Sequence, residues 1–497
     1  MPIVPLPAEP NHEQLRKFAK DIRDAVRTGN PRAIAFIAEH HPAGAPADDA
    51  ISTFPLSGAQ LAVARRHGFP SWPRLKHHLD LVADLSRAPD RVDPSSDPTH
   101  ELLRLGCLNY GDDGPERWAA ARALLAGDAA LGGASIFTAA ATNDVDAVRA
   151  FVARDRGAAT DAGGPNQWAP LMYLTYSRIQ TDVRVDDVLA TAITLLDAGA
   201  DPNTGYLWHG LPTPFTLLTG TFGEGELGAE RQPRHPHSIA LARLLLERGA
   251  DPNDGQTLYN RMFEPDDDHL ECLFEFGLGR GDGGPWKRRL GPALDSPAAM
   301  LASQLRWAIS HDMVARVDLL ASHGVDITAR DGDGRTPSDL AALHDRPAVL
   351  DVLLAHGAPP PALPPEDAMV AALLAGDAER VDRIAAEHPA ALDAARAQRP
   401  GLIVWAVASG HAESIPLMLE RGFDVNHRAR MDVPIEQEWE TALHVAVERD
   451  DVELARTLLA IGADVHARDT RYDATPLGWA EHFNRPSLIE LLAPLSS

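Results

Sequence analysis

A phrase that returns along a chain constrains its fold more than any single residue, because each copy must build the same local structure and neighbouring copies must then pack on one another. Here the phrase is an apolar stretch followed by Gly, a small or apolar residue and, in most copies, Asp. It reads Leu195-Leu-Asp-Ala-Gly199-Ala-Asp-Pro-Asn203 and Leu245-Leu-Glu-Arg-Gly249-Ala-Asp-Pro-Asn253. It returns as Leu320-Ala-Ser-His-Gly324-Val-Asp326, Leu354-Ala-His-Gly357-Ala358, Leu419-Glu-Arg-Gly422-Phe-Asp424 and Leu459-Ala-Ile-Gly462-Ala-Asp464. The glycine follows a helix, where the chain reverses through a left-handed conformation that costs other residues about 1–2 kcal/mol.

A second phrase precedes an apolar run: Arg335-Thr-Pro-Ser-Asp-Leu-Ala341, Glu440-Thr-Ala-Leu-His-Val-Ala446 and Ala474-Thr-Pro-Leu-Gly-Trp-Ala480. Looser copies are Ala169-Pro-Leu-Met-Tyr-Leu174 and Pro212-Thr-Pro-Phe-Thr-Leu217. Threonine caps a helix N-terminus with its hydroxyl, and proline fits the first helical position, where its missing N–H is not needed. Each unit therefore reads as turn, short helix, second helix, glycine stop. Gly324 and Gly357 are 33 positions apart. Gly422 and Gly462 are 40 apart, the excess lying in the loop Met431 to Trp439.

These units resemble the ankyrin repeat family. The copy from Glu440 to Asp469 matches the family's T-P-L-H-x-A-A start and L-L-x-x-G-A-D end, and Asp331-Gly-Asp-Gly-Arg-Thr-Pro337 resembles its β-turn finger. Ala442 departs from the usual proline, and Ser338-Asp339 and Leu477-Gly478 replace Leu-His. The resemblance implies an all-α fold, an α-solenoid of stacked helix pairs with degenerate repeats and loop insertions. It also implies that the His444 imidazole hydrogen-bonds between neighbouring turns. Residues 12–85 read differently, as helices near 12–28, 31–40, 57–67 and 71–85. The segment from Gln60 to Lys76 resembles a helical module that precedes ankyrin arrays in some bacterial proteins, with Trp72 as a core anchor and Arg65, Arg66, Arg74 and Lys76 on a solvated face. The expected organisation is an N-terminal module over 1–90, a linker over 91–98 and degenerate repeats with insertions over 99–358. A Pro-rich spacer over 359–366 and C-terminal repeats with a cap over 367–497 complete it.

Composition excludes several classes of function. Forty-six basic against 71 acidic residues leave a net charge of −25, which repels nucleic-acid backbones and anionic membrane surfaces. Cys107 and Cys272 are too far apart in sequence for a CxxC metal or redox site. The N-terminal segment lacks a secretory signal's basic and apolar regions, and no apolar run is long enough to span a bilayer, so the expected location is cytoplasmic.

Motifs with chemistry are sparse. Gly223-Glu-Gly225-Glu-Leu-Gly228 fits G-x-G-x-x-G, but a helix precedes it, no helix is expected to begin at Gly228, and its glutamates would repel a pyrophosphate. It reads as a flexible insertion. His209, His235 and His237 with Asp266–Asp268 hold metal-ligating types without metal-site spacing. No nucleophile elbow or phosphate-binding lysine motif occurs, so no catalytic residue, metal or cofactor is implied.

Aromatic and basic residues in the finger loops carry the functional expectation, since Trp, Tyr and Arg dominate binding hot spots. The candidate partner-binding set is Tyr206, Trp208 and His209 in one finger, Arg428, Arg430, Met431 and Trp439 in a second, and Arg471 and Tyr472 in a third. The expected function is a non-enzymatic scaffold that binds another protein, of basic character given the net charge, through fingers and groove. The alternative is an enzyme or small-ligand binder whose site is built from the insertions near 205–237 and 427–439.

Overall fold

The computed structural model describes residue 6 and residues 11–179, 181–430 and 438–496. It divides at Leu301/Ala302 into two compact units. Among the described residues no helix is long and apolar enough to cross a membrane.

The first unit opens with helices His12–Arg27, Pro31–His40, Leu56–Arg66 and Trp72–Leu85, close to the expected bounds. Asn11, Asn30 and Ser71 cap three of them. Val26, Ile37, Phe54 and Ala62 form one small core. Phe69, Leu75 and Leu79 form another, with Trp72 packed at its margin. Helix pairs follow at Pro98–Gly106 with Pro115–Gly127, Ile136–Thr142 with Val145–Arg154, Pro170–Tyr176 with Val185–Ala198, Leu217–Phe222 with Ser238–Glu247, and Gly255–Arg261 with Asp268–Glu275. The division between units falls inside helix Pro297–Ser310.

The second unit continues as an α-solenoid through Val314–Ser322, Pro337–Leu343 with Pro347–Ala355, Pro365–Leu374 with Ala378–Glu387, and Leu402–Ser409 with Ile415–Glu420. It ends on Ala442–Glu448 with Val452–Ala460 and Pro476–His482 with Pro486–Leu492. One core runs through it from Leu343 and Met369 to Leu488 and Leu492.

Three local devices make one pair stack on the next. The six glycine stops, Gly199, Gly249, Gly324, Gly357, Gly422 and Gly462, all have positive φ between 80° and 115°, as the pattern demands. Second, the Asn that closes the glycine phrase reaches into the following repeat. Asn203 donates to Gly249 O at 2.8 Å and accepts from Asp251 N at 2.9 Å. Asn253 does the same with Arg280 O and Gly279 N, and Asn426 with Gly462 O and Asp464 N. Third, arginines from the turns between helices cap the open carbonyls of neighbouring first helices. Arg449 donates to Val407 O and Ala408 O at 2.7 and 2.6 Å, and Arg346 to Ser310 O and Ser409 O.

Several expectations need correction. The phrase Pro212–Leu217 reads as a helix start at Thr213, but Pro214–Thr216 is a strand and the helix starts at Leu217, capped by Thr216 and Thr219. Gly284–Leu290, inside a Gly-rich stretch read as loop, is a helix anchored by buried Trp286, whose indole donates to Asn203 O at 3.0 Å. Ala391–Gln398 is a further helix, burying Ala391 and Ala395 one turn apart. The Pro-rich stretch 359–366 does not part the stack: Ala362 N donates to Asp339 at 2.7 Å, and Arg335 pairs with Asp367 at 2.8 Å across it.

Candidate interaction surface

The finger at 205–216 is an antiparallel hairpin of β2 (Gly205–Trp208) and β3 (Pro214–Thr216), with Tyr206 opposite Phe215. A third strand, β1 (Ser86–Arg87), follows the last N-terminal helix and pairs parallel with β2, placing Ser86 beside Leu207 and Arg87 beside Trp208. His209 N donates to Arg87 O at 2.9 Å. The N-terminal segment thus covers this finger. Leu207 is buried with Val82, Trp286 and Leu290.

Of the three expected binding residues here, Tyr206 is therefore buried, while Trp208 and His209 are half-buried with their polar atoms engaged. Tyr206 is only 3% exposed, its ring stacked 5.2 Å from Trp168. The Trp208 indole donates to Asn109 O at 3.0 Å, and the His209 Nε2 lies 2.6 Å from Asp90 Oδ1. The sequence pattern correctly marks a finger but cannot show that residues 86–90 lie along it.

In the finger at 427–440 the described residues Arg428, Arg430 and Trp439 are half-buried and Glu438 is exposed. Ala429 and Glu440 form its described bridge; Met431 and the insertion through 437 lie outside the described residues. It joins the next finger edge to edge: Thr470 N donates to Trp439 O at 2.9 Å, and Arg428 Nη1 to Arg468 O at 3.0 Å. Asp469 organises that next turn, accepting from Arg471 N, Tyr472 N, Ala474 N and the Trp479 indole at 2.6–3.0 Å. Burial works to raise its carboxyl, but the Tyr472 N–H and the Trp479 indole, with the other two amides, outweigh it and hold it below the usual carboxylate range. His444 ties the two turns from beneath. Its Nδ1 accepts from Thr441 N at 3.3 Å, which leaves Nε2 as the donor to Ala474 O at 3.1 Å, and burial pushes it down to about 4.

On this frame the Arg430 and Arg471 guanidiniums lie 4.8 and 4.7 Å from the Trp439 ring centroid, and Arg471 lies 5.1 Å from that of Tyr472. Tyr472 is 63% exposed, ahead of Leu495 at 48%, the next most exposed large apolar side chain among the described residues. The structure thus gathers Arg428, Arg430, Trp439, Arg471 and Tyr472 into one surface. Sequence reading missed Arg468 and Asp469, which build it. The signal was present, since Asp469 stands where Asp331 organises the finger before Thr336.

The described residues of the alternative site are each engaged by other groups of the protein. The His237 Nε2 lies 2.6 Å from Val183 O, while His235 is buried and pushed down to about 3 by desolvation. Asp266 and Asp268 pair with Arg234 at 3.2 and 2.6 Å and flank buried Arg261, which Glu224 of the glycine-rich loop also contacts. A single helical turn, Gly228–Arg231, does follow that loop, contrary to expectation, but a buried ion pair fills the loop. Among the described residues no group of three or more His, Cys, Asp and Glu is placed to hold a metal ion. A small cleft beside the closed finger is lined by Pro202, Trp286 and Met300 with Asp254, whose carboxyl is raised to about 6 by burial and is engaged by Thr216 and Thr257 as a helix cap.

Comparison with known proteins decides the family of the C-terminal part. Models described as ankyrin repeats match residues 305–367, 368–469 and 403–496. Residues 305–496 are ankyrin repeats. Such repeats are generally protein–protein interaction modules. N-terminal of the matched region, the asparagine bridges at Asn203 and Asn253 repeat the geometry of Asn426 within it. Over 98 residues the chain is 35% identical to the Serine/threonine-protein kinase VIK of Arabidopsis thaliana, covering 20% of this chain and 21% of the kinase. The chain thus spans about a fifth of that relative's length.

Proposed function

We propose that the protein is a non-enzymatic scaffold that binds a partner protein through the tips of its last two fingers, with Arg428, Arg430, Trp439, Arg471 and Tyr472 as the contact set. The observation that carries this reading is Tyr472, held well out of the protein by a turn built around buried Asp469. A rigid aromatic beside stacked arginines supplies large contact area at low entropic cost, the composition of binding hot spots. The net charge of −25 favours a basic partner at long range, while the finger tips themselves present guanidiniums. A cytoplasmic setting suits the two free cysteines, both buried, with Cys107 raised to about 12 by desolvation.

A photo-reactive phenylalanine analogue placed at Tyr472, and separately at Glu453 on an outer helix, tests the reading in native lysate. One discrete polypeptide adduct from position 472 and none from 453 is the expected result. Equal labelling at both positions would remove the finger tips from the function.

A further inference from the structure

We propose that Arg471 is the anchor for a carboxylate side chain in an acidic segment of the partner, an inference that rests on the finger-tip reading. The other arginines nearby are committed. Arg428 donates to Arg468 O and lies 3.8 Å from Glu438, and Arg468 donates to Asp473 O and pairs with its carboxylate. Arg430 lies over Trp439, beside the insertion. Arg471 differs: its guanidinium rests on two aromatic faces, Trp439 and Tyr472, and among the described residues it has no carboxylate or carbonyl acceptor.

That arrangement has a chemical consequence. A guanidinium presents five N–H donors around its planar edge and a flat face that stacks on aromatic rings. Here the flat face is engaged and the edge is unclaimed, so the fork is pre-positioned for a bidentate carboxylate and loses less rotamer freedom on binding than a free arginine would. Among the described residues the local anions have other partners. Asp469 is buried and saturated by four donors of its own turn, while Glu438 and Asp473 are paired with Arg428 and Arg468. Exposed Tyr472 offers a face for the apolar part of whatever flanks the carboxylate. The net charge of −25 opposes an acidic partner, but exposed charges beyond a Debye length of about 8 Å are largely screened at physiological salt, so contact chemistry at the anchor decides.

The test uses the full chain and three labelled peptides, acetylated and amidated so that no chain terminus supplies the charge. One is Glu-rich with a central Tyr, one is its Gln isostere and one its Lys counterpart. Fluorescence anisotropy at physiological salt should show the Glu peptide binding about tenfold tighter than the Gln peptide, with the Lys peptide weakest. Arg471→Gln should remove most of that difference and leave the melting temperature unchanged, and Arg471→Lys should restore only part, since an ammonium keeps the charge without the fork. Arg456→Gln, an equal charge change on an outer helix, should alter nothing. Equal binding of the Glu and Gln peptides, preference for the Lys peptide, no binding of the Glu peptide at millimolar concentration, or full affinity in Arg471→Gln would each overturn the acidic anchor. Cross-linking at position 472 that survives Arg471→Gln would leave the finger-tip reading standing without it.

Discussion

The finger that carries Trp208 and the finger that carries Trp439 occupy the same place in their repeats, follow the same glycine stop and asparagine bridge, and each carry a tryptophan. The first is covered by an added strand, and the second, over its described residues, is not. In the first, a two-residue strand from the end of the N-terminal helices completes a three-stranded sheet, Asp90 takes His209, Asn109 takes the Trp208 indole, and Tyr206 enters an aromatic core with Trp168 and Phe215. In the second, among the described residues, the neighbour along the edge is the next finger, whose Tyr472 stays at the surface. Whether a repeat-protein finger is a recognition loop or a core element thus depends less on its own residues than on whether another segment supplies a strand and an apolar lid.

The largest expected effect separates the two. Tyr206→Ala should destabilise the first unit by about 3–5 kcal/mol in urea melts, as truncation of a core aromatic does. Tyr206→Phe should be within about 0.5 kcal/mol of the parent or more stable, because the hydroxyl is buried without a partner. A small cost for Tyr206→Ala would mean that the finger opens in solution.

Acid should strike both units, the second harder. Burial pushes His235 in the first unit down to about 3, and His344 and His444 in the second down to about 3 and 4. An imidazole depressed below its unfolded value near 6.5 contributes stability that is fully present above pH 6.5 and is lost as pH falls toward the folded value. At pH 5 the loss is on the order of 2 kcal/mol per histidine. Peptide-resolved hydrogen exchange at pH 7 and pH 5, corrected for intrinsic rates, should show protection falling more in residues 337–492 than in residues 136–275. A uniform loss would contradict this.

Gly462→Val comes next. Open space surrounds its would-be Cβ, so the cost is the left-handed backbone itself, about 1–2 kcal/mol with β-branching adding to it. Exchange protection should fall first over 440–492 while residues 99–301 keep theirs, because a repeat contacts only its neighbours. The smallest effect belongs to the next finger, which carries Tyr472. Tyr472→Ala should change stability by less than about 0.5 kcal/mol while weakening partner binding by about 1–2 kcal/mol. A large loss of melting temperature would show that this finger, too, is core.

Much of this was legible in the sequence, and for a definite reason. Glycine stops, threonine caps and the spacing of apolar helices act within a few residues of themselves, so Gly324, Gly357 and Gly462, or Thr336, Thr441 and Thr475, announce their conformation wherever they stand. The Ala391–Gln398 helix and the Trp286 anchor escaped because their stabilising partners come from elsewhere: the buried core of the second unit for one, Asn203 for the other. The candidate site divided along the same line. Arg428, Trp439, Arg471 and Tyr472 are near neighbours through two adjacent turns, and the repeat pattern alone brings those turns together. Trp208 and His209 were settled by residues 86–90 and Asn109, about a hundred positions away along the chain, and Tyr206 by an aromatic core with Trp168 and Phe215. The sequence therefore determined the repeating unit, its caps and its stops, which are local. Only the tertiary structure decided which finger faces solvent, since that depends on long-range strand pairing and burial that no periodicity records.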